Sequence, residues 1–385
     1  MKRVTAFGLG LLLLCLPGCA NAGTVYSNYR ELEEMELILS LGFDSVRNGV
    51  RLSVSGSSSG AESSEESSGS KFTRLTTAGT SITSAMETIQ DFATKEELFY
   101  AHTQYVILGE SYAKTNLAMI LDYLQGTTGV RTSVPMFVVH GDTAEHLVTS
   151  TGERGSDITT TLNSTILDSR RRGDGYPFSC SEVIAAQNEH GAALMMALKV
   201  VPTQSVEPSA QEDAVSPLPD GYAIVRDDTI IDFIPQADAR GVNLLIGEPG
   251  LGGVTVTDPK AGTVTVNMTS CTVKLEPVWG ADGSVTGLSG KIRAQVYLKE
   301  VEHPSALDKT AVLEAVSEQL ERWVEHVLQK MSDNEADFLG VGLQMRMRHP
   351  ILWDRAPRTW EQVLGELTFD IQAETTIARA GELQR

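Results

Sequence analysis

The side chains in this chain that could carry chemistry are few and scattered. His140 and His146 stand six apart around an expected strand-to-helix turn. That spacing does not set two imidazoles on one helix face for a metal. Asp227, Asp228 and Asp232 are the right type for calcium, but they lack the fixed ligand order of an EF-hand loop, and a solvated turn accounts for them better. Gly247 to Gly253 holds four glycines. No lysine or helix start follows, so a turn region fits better than a phosphate cradle. No phosphate-binding lysine loop, H-E-x-x-H or C-x-x-C occurs. The residues therefore suggest no catalytic set, no metal and no cofactor, and the chain reads as a non-enzyme.

The cysteines say more. Met1-Lys2-Arg3 is followed by an apolar run from Val4 to Leu16, then by Leu16-Pro17-Gly18-Cys19. Two cations ahead of a short apolar run are the front of a secretory signal. As a helix the run would cover about 20 Å of a ~30 Å hydrocarbon core, too little to span it comfortably. A small residue directly before a cysteine suits a lipoprotein signal peptidase, and the four residues resemble the bacterial lipobox. Residues 1–18 are thus expected to be a lipoprotein signal peptide, with Cys19 as the site of lipid attachment. The rival is an ordinary signal peptide cut near Ala20-Asn21-Ala22. Two acyl chains make anchoring stable. Of the remaining cysteines, Cys180 and Cys271 either pair in an oxidising compartment or stay separate as buried thiols.

Composition narrows the partners. The 385 residues allow two or three domains, and 41% hydrophobic content is enough for real cores. No second long apolar run follows the leader. Net charge is −19, and loss of Lys2 and Arg3 takes it to −21. Nucleic acid needs a basic footprint and is excluded as a partner. The same acidity argues against a basic patch on anionic lipid, leaving the lipid as the link to the membrane.

The elements then follow from periodicity. Residues 36–43 and 50–54 read as paired strands, with 44–49 as the turn. The segment 55–70, mostly Ser, Gly and Glu, reads as a flexible loop. Ile82, Ala85, Met86, Ile89 and Phe92 share a helical face behind Thr80 or Ser81 as N-cap. Tyr105 to Leu108 is a strand, and Tyr112, Leu117, Ile120, Leu121 and Leu124 form a second helical face. Val134 to Val139 is another strand, with Asp142 expected to cap a short helix after it. Residues 151–220 look less regular. Four prolines between Pro202 and Pro219 predict a linker there. Beyond it come antiparallel strand patterns and a strong helix facing inward with Leu313, Val316, Leu320, Trp323, Val324, Val327 and Met331. Leu367 to Ile377 alternates as a closing strand. The expected fold is α+β and multi-domain: N-terminal mixed α/β layers over 19–201, a linker at 202–219, and a C-terminal antiparallel sheet packed by a long amphipathic helix over 220–385. A further division near 285 would separate a small β domain from a helix-plus-sheet domain.

Three segments carry a family resemblance. The first is Tyr29-Arg30-Glu31-Leu32-Glu33-Glu34-Met35 leading to Ile38-Leu39-Ser40-Leu41-Gly42-Phe43-Asp44. The second runs from Ala78-Gly79-Thr80-Ser81-Ile82 to Gln104-Tyr105-Val106-Ile107-Leu108-Gly109-Glu110. The third is Asp337-Phe338-Leu339-Gly340-Val341-Gly342, with His349-Pro350, Trp353 and Trp360 after it. In this order they resemble the Ger(x)C family, the C subunits of spore nutrient germinant receptors. The chain departs from the family's usual Cys-Trp-Asp start, having Cys19-Ala20-Asn21, and keeps only Arg131 of an arginine-rich stretch. The resemblance implies a lipid-anchored, non-catalytic scaffold or signalling subunit at the spore inner membrane. Its implied partners are an A and a B membrane subunit of a germinant receptor. It makes Asp337, Gly340 and Gly342 the motif residues to watch, with a structural role expected of them. The alternative is a solute-binding lipoprotein of a membrane transporter, which would need two doubly wound lobes. An anchored cell-wall enzyme would need a catalytic cluster.

Overall fold

The computed structural model describes residues 35–58, 72–93, 97–127, 129–150, 158–203 and 214–378. Cys19, the leader and the centre of the serine-rich segment lie outside the described residues. Ser55 to Ser58, expected to open that loop, are still strand.

The chain opens with β1 (Met35–Val46), β2 (Gly49–Ser58) and β3 (Phe72–Gly79), an antiparallel meander. Helix α1 (Ile82–Gln90) follows, capped by Ser81, whose hydroxyl accepts from the Ser84 amide while the Ser84 hydroxyl reaches back. Next come β4 (Glu97–Phe99), β5 (Tyr105–Gly109), α2 (Glu110–Gly126) and β6 (Met136–Val139). The short helix expected after Asp142 is α3 (Ala144–Ser150), and the stretch that looks irregular in sequence holds α4 (Ile158–Arg172), α5 (Cys180–His190) and β7 (Ala192–Pro202). Thr159 and Ser169 are buried in α4 while Leu167 is exposed, which blurs its helical period. Strands β8 (Val215–Arg226) and β9 (Thr229–Ile234) complete a nine-stranded mixed sheet in the order β3-β2-β1-β5-β6-β7-β8-β9, with β4 alongside β1.

The centre of this sheet, β1-β5-β6-β7, is parallel, and its margins are antiparallel hairpins. Parallel neighbours need crossover connections, which α2 to α5 supply. Both faces are covered, so the central strands are apolar on both sides. Ile107, Phe137, Met196 and Tyr222 pack on one face, and Val106, Val138, Met195 and Ala223 on the other.

The described ends of the expected linker, Pro202 and 215–219, are strand. Val200 faces Pro217 and Leu198 faces Pro219 in the β7–β8 ladder. Composition misleads here because β9 covers only Tyr222–Arg226. That leaves 215–219 on the open margin, where a proline removes no ladder bond. Strands β8 and β9, expected to open the C-terminal region, belong to the first sheet.

Helix α6 (Ala239–Leu245) leads to a second sheet: β10 (Gly253–Asp258), β11 (Gly262–Trp279), β12 (Val285–Val301) and, after the helices, β13 (Thr368–Ile377). Ladders β10–β11 and β11–β12 are antiparallel as expected, but β13 joins β12 in parallel. The proposed division near 285 falls inside the β11–β12 hairpin, where fifteen register pairs hold the two strands together, so no boundary lies there. Helix α7 (Lys309–Asp333) lies on this sheet and buries Val312, Val316, Leu320, Val324, Val327 and Met331. Asp308 caps it, accepting from the Thr310 and Ala311 amides. Trp323 turns instead toward α6, with the Arg240 guanidinium 4.9 Å over its ring. The chain then turns through α8 (Val341–Arg348), α9 (Pro350–Arg355) and α10 (Trp360–Val363) before β13.

Candidate functional site

The D-x-x-G-x-G segment folds around one carboxylate. Asp337 is 3% exposed. Its Oδ1 accepts from the Val341 amide at 2.8 Å, and its Oδ2 accepts from the Gly342 amide at 2.7 Å. These are orphan donors of the first turn of α8, so the carboxylate caps that helix from three residues before Gly340. Trp360, the first residue of α10, adds a third donor through its indole N–H at 2.9 Å from Oδ2. Burial pushes the Asp337 carboxyl above the ordinary range, while the three donors and nearby His190 pull the other way.

Each glycine has its own reason. Gly340 is left-handed, at φ 65° and ψ 30°, and a Cβ there would sit 3.1 Å from the His190 ring. A Cβ at Gly342 would sit 2.5 Å from Cδ1 of Trp360. Only a bare Cα lets the indole lie flat on the helix start and still reach Asp337.

Beside this knot lies a cleft of about 620 Å³ between the end of α5 and the α8–α10 turns. Trp360 and Trp353 line it with ring centroids 5.7 Å apart, and Arg346, Arg358 and His190 give it polar edges. Arg358 is held by a bidentate pair to Glu366 at 2.7 and 2.9 Å. Among the described residues lining the cleft, Thr359 supplies the one hydroxyl, and no Ser, Cys or Lys is present. Asp337 already spends its oxygens on three N–H donors, which makes it an anchor for α8 rather than a proton acceptor.

The other candidates resolve into structure. His140 Nδ1 pairs with Asp220 at 2.7 Å and its ring stacks on Phe233, whereas His146 pairs with Asp142. The two imidazoles therefore serve different carboxylates. Asp227 and Asp228 form the β8–β9 turn with φ of 50° and 56°, as a tight hairpin requires. Asp232 accepts from Lys330 and Asn334. In the glycine-rich stretch, Gly252 packs on the Arg172 backbone and Gly250 on Gly173, so these glycines serve close contact with the end of α4. Cys180 and Cys271 are separate free thiols. Burial pushes each thiol up to about 11, which keeps both protonated near neutrality. Among the described residues no group of three or more His, Cys, Asp or Glu could hold a metal ion.

One polar contact had no sequence signal. Asp44, in β1, accepts from the amides of Ala144 at 2.9 Å and Glu145 at 2.8 Å. It caps α3 from a hundred residues away. Asp142, the expected cap, accepts instead from the Thr143 amide and pairs with His146.

Two family models cover most of the chain. One, described as the spore germination protein N-terminal domain, matches residues 28–200. The other, described as spore germination B3/GerAC like, C-terminal, matches residues 220–381. The chain belongs to the GerAC-like family. The spore germination protein KC of Bacillus subtilis (strain 168) is 23% identical over 423 residues, covering 99% of this chain and 96% of that protein. The crystal structure of the GerBC protein shares the fold, with a TM-score of 0.54 and 16% identity over 88% of this chain and 97% of that one. In this GerAC-like chain the two matched regions meet across β7 and β8, and the Asp337 knot lies in the second. The motif residues Asp337, Gly340 and Gly342 come together with Trp360, as a structural unit. His190, which closes the knot from α5, was not foreseen; nothing in its local sequence marks it.

Proposed function

We propose that this chain is the C subunit of a spore nutrient germinant receptor, held at the outer face of the spore inner membrane by lipid on Cys19. The observation that carries the reading is the succession of both GerAC-like domain matches along nearly the whole chain. The relative of nearly the same length, a spore germination protein, supports it. No helix among the described residues is long and apolar enough to cross a membrane, so attachment is assigned to the leader cysteine.

The role is that of a scaffold or signalling part without catalysis. Asp337 is saturated by helix and indole donors, and the buried thiols stay protonated. The receptor partners are an A subunit with membrane spans and a permease-like B subunit. A solute-binding lipoprotein of a transporter would be built on two doubly wound lobes. One nine-stranded mixed sheet joined to a four-stranded sheet does not favour that reading.

The test is purification of the tagged full chain from spore inner membranes in mild detergent. Two integral membrane subunits should co-purify with it. Tight binding of an amino acid by the isolated chain, with no such partners, would overturn the assignment.

A further inference from the structure

Eleven large hydrophobic side chains are exposed among the described residues, and three of them fall within six consecutive positions. Met347 is 67% exposed, Ile351 66% and Leu352 50%. Single exposed hydrophobics need no explanation, but a cluster does. These three sit at the end of α8 and on α9, a helix that buries none of its residues. Trp353 pins α9 through its contact with Trp360, and Ile351 and Leu352 face outward. On the other side of this corner His349 meets Trp279 of β11 edge-on.

The rim of this corner is basic. Arg346, Arg348, Arg355 and Arg358 stand against one acid, Asp354, over residues 341–358, in a chain with 50 acids and 31 Lys plus Arg. Arg348 pairs with Glu276 and Arg358 with Glu366. Arg346 and Arg355 are exposed and make no ion pair among the described residues. With Glu276 and Glu366 neutralising two of the four, Arg346 and Arg355 are the cations this corner leaves to solvent in an otherwise acidic chain.

We propose that the α8–α9 corner rests on an anionic lipid surface, with Met347, Ile351 and Leu352 at the headgroup–acyl boundary and Arg346 and Arg355 on lipid phosphates. An apolar face with cationic flanks is the pattern of an interfacial segment. Charge complementarity selects the lipid, since the rest of the molecule is acidic and a bilayer would repel it. For its setting this rests on the membrane-anchored reading. Three side chains and two free cations give a weak, reversible attachment on their own, measurable at low salt but far short of a lipid anchor. Their effect is on orientation, fixing which end of a tethered protein meets the bilayer.

The test uses the chain from residue 19 onward carrying Cys19→Ser, which cannot be lipidated. It is sedimented with vesicles of phosphatidylcholine alone or mixed with phosphatidylglycerol. At low salt it should bind the anionic vesicles at least about tenfold more strongly, because each basic residue near the surface contributes on the order of 1 kcal/mol. Arg346→Glu with Arg355→Glu should abolish that preference. Ile351→Ser with Leu352→Ser should weaken binding to both vesicles, and circular dichroism should be unchanged in every variant. Equal binding to the two lipids, or no effect of the variants, overturns the proposal. So does a third result, in which vesicles are not bound but the arginine variants lose co-purification with membrane subunits; the corner is then a protein interface. None of these outcomes bears on whether Cys19 is lipidated, which fractionation of spores decides separately.

Discussion

The indole N–H of Trp360 reaches Oδ2 of Asp337 across the bare Cα of Gly342. The three residues form one contact, and each is constrained by the other two. Gly342→Ala would place a methyl group against the indole. It should cost about 1–3 kcal/mol, as overpacking of a filled site does. Trp360→Phe should cost a similar amount, on the order of 1–3 kcal/mol, through the lost donor and the lost ring volume. Urea unfolding midpoints measure both. If the contact is a unit, the double variant should cost less than the two singles together. Additive costs would separate the glycine from the tryptophan.

Asp44 joins β1 to the start of α3, so its removal should act at a distance along the chain. Asp44→Ala leaves the amides of Ala144 and Glu145 without an acceptor. The expected loss is about 1–2 kcal/mol, in the range of a strong helix cap. Hydrogen exchange should quicken in residues 144–150 while α7 keeps its protection. Uniform quickening across the chain would mean that Asp44 supports the whole sheet and not this helix in particular.

Asp232 links the first sheet to α7. Burial pushes its carboxyl up, but the Lys330 ammonium, the Phe233 amide and Asn334 outweigh that and hold it below the ordinary value. A folded-state value below the unfolded one means that the carboxylate stabilises the fold above the unfolded value, near pH 4, and that this is lost as pH falls through the folded value. Asp232→Asn should therefore lower Tm at neutral pH and converge with the parent in acid. The side chain is 36% exposed, so the gap should stay below about 1 kcal/mol. A gap that widens in acid would reverse the assignment.

Cys19→Ser should leave the thermal unfolding of the chain unchanged and release it from spore membranes after a carbonate wash. Recovery of receptor membrane subunits with it should also fall, since the lipid raises their effective concentration. Continued membrane pelleting of the variant would place the anchor elsewhere.

Much of the fold is legible in sequence where a period repeats. The alternating Ile292, Ala294, Val296 and the inward stripe of α7 each announce their element, because one face of each is buried. Legibility fails where a partner is distant or a composition misleads. Nothing near Asp44 points to Ala144, and nothing near His190 points to Gly340. Pro217 and Pro219 look like linker residues because their ladder runs on one side only. The motif glycines were visible as a pattern, but the reason for Gly342 is an indole eighteen residues further on.

The β7–β8 pairing has a consequence for any shortened version of this protein. The two matched family regions end and begin in adjacent strands of one sheet. A chain stopped near residue 201 would leave β7 with a row of bare N–H and C=O groups beside a fully apolar strand. Such an edge is a template for another copy. Fragments divided at the family boundary should therefore aggregate or exchange strands, and a productive cut must fall beyond Ile234, after the sheet has closed its margin.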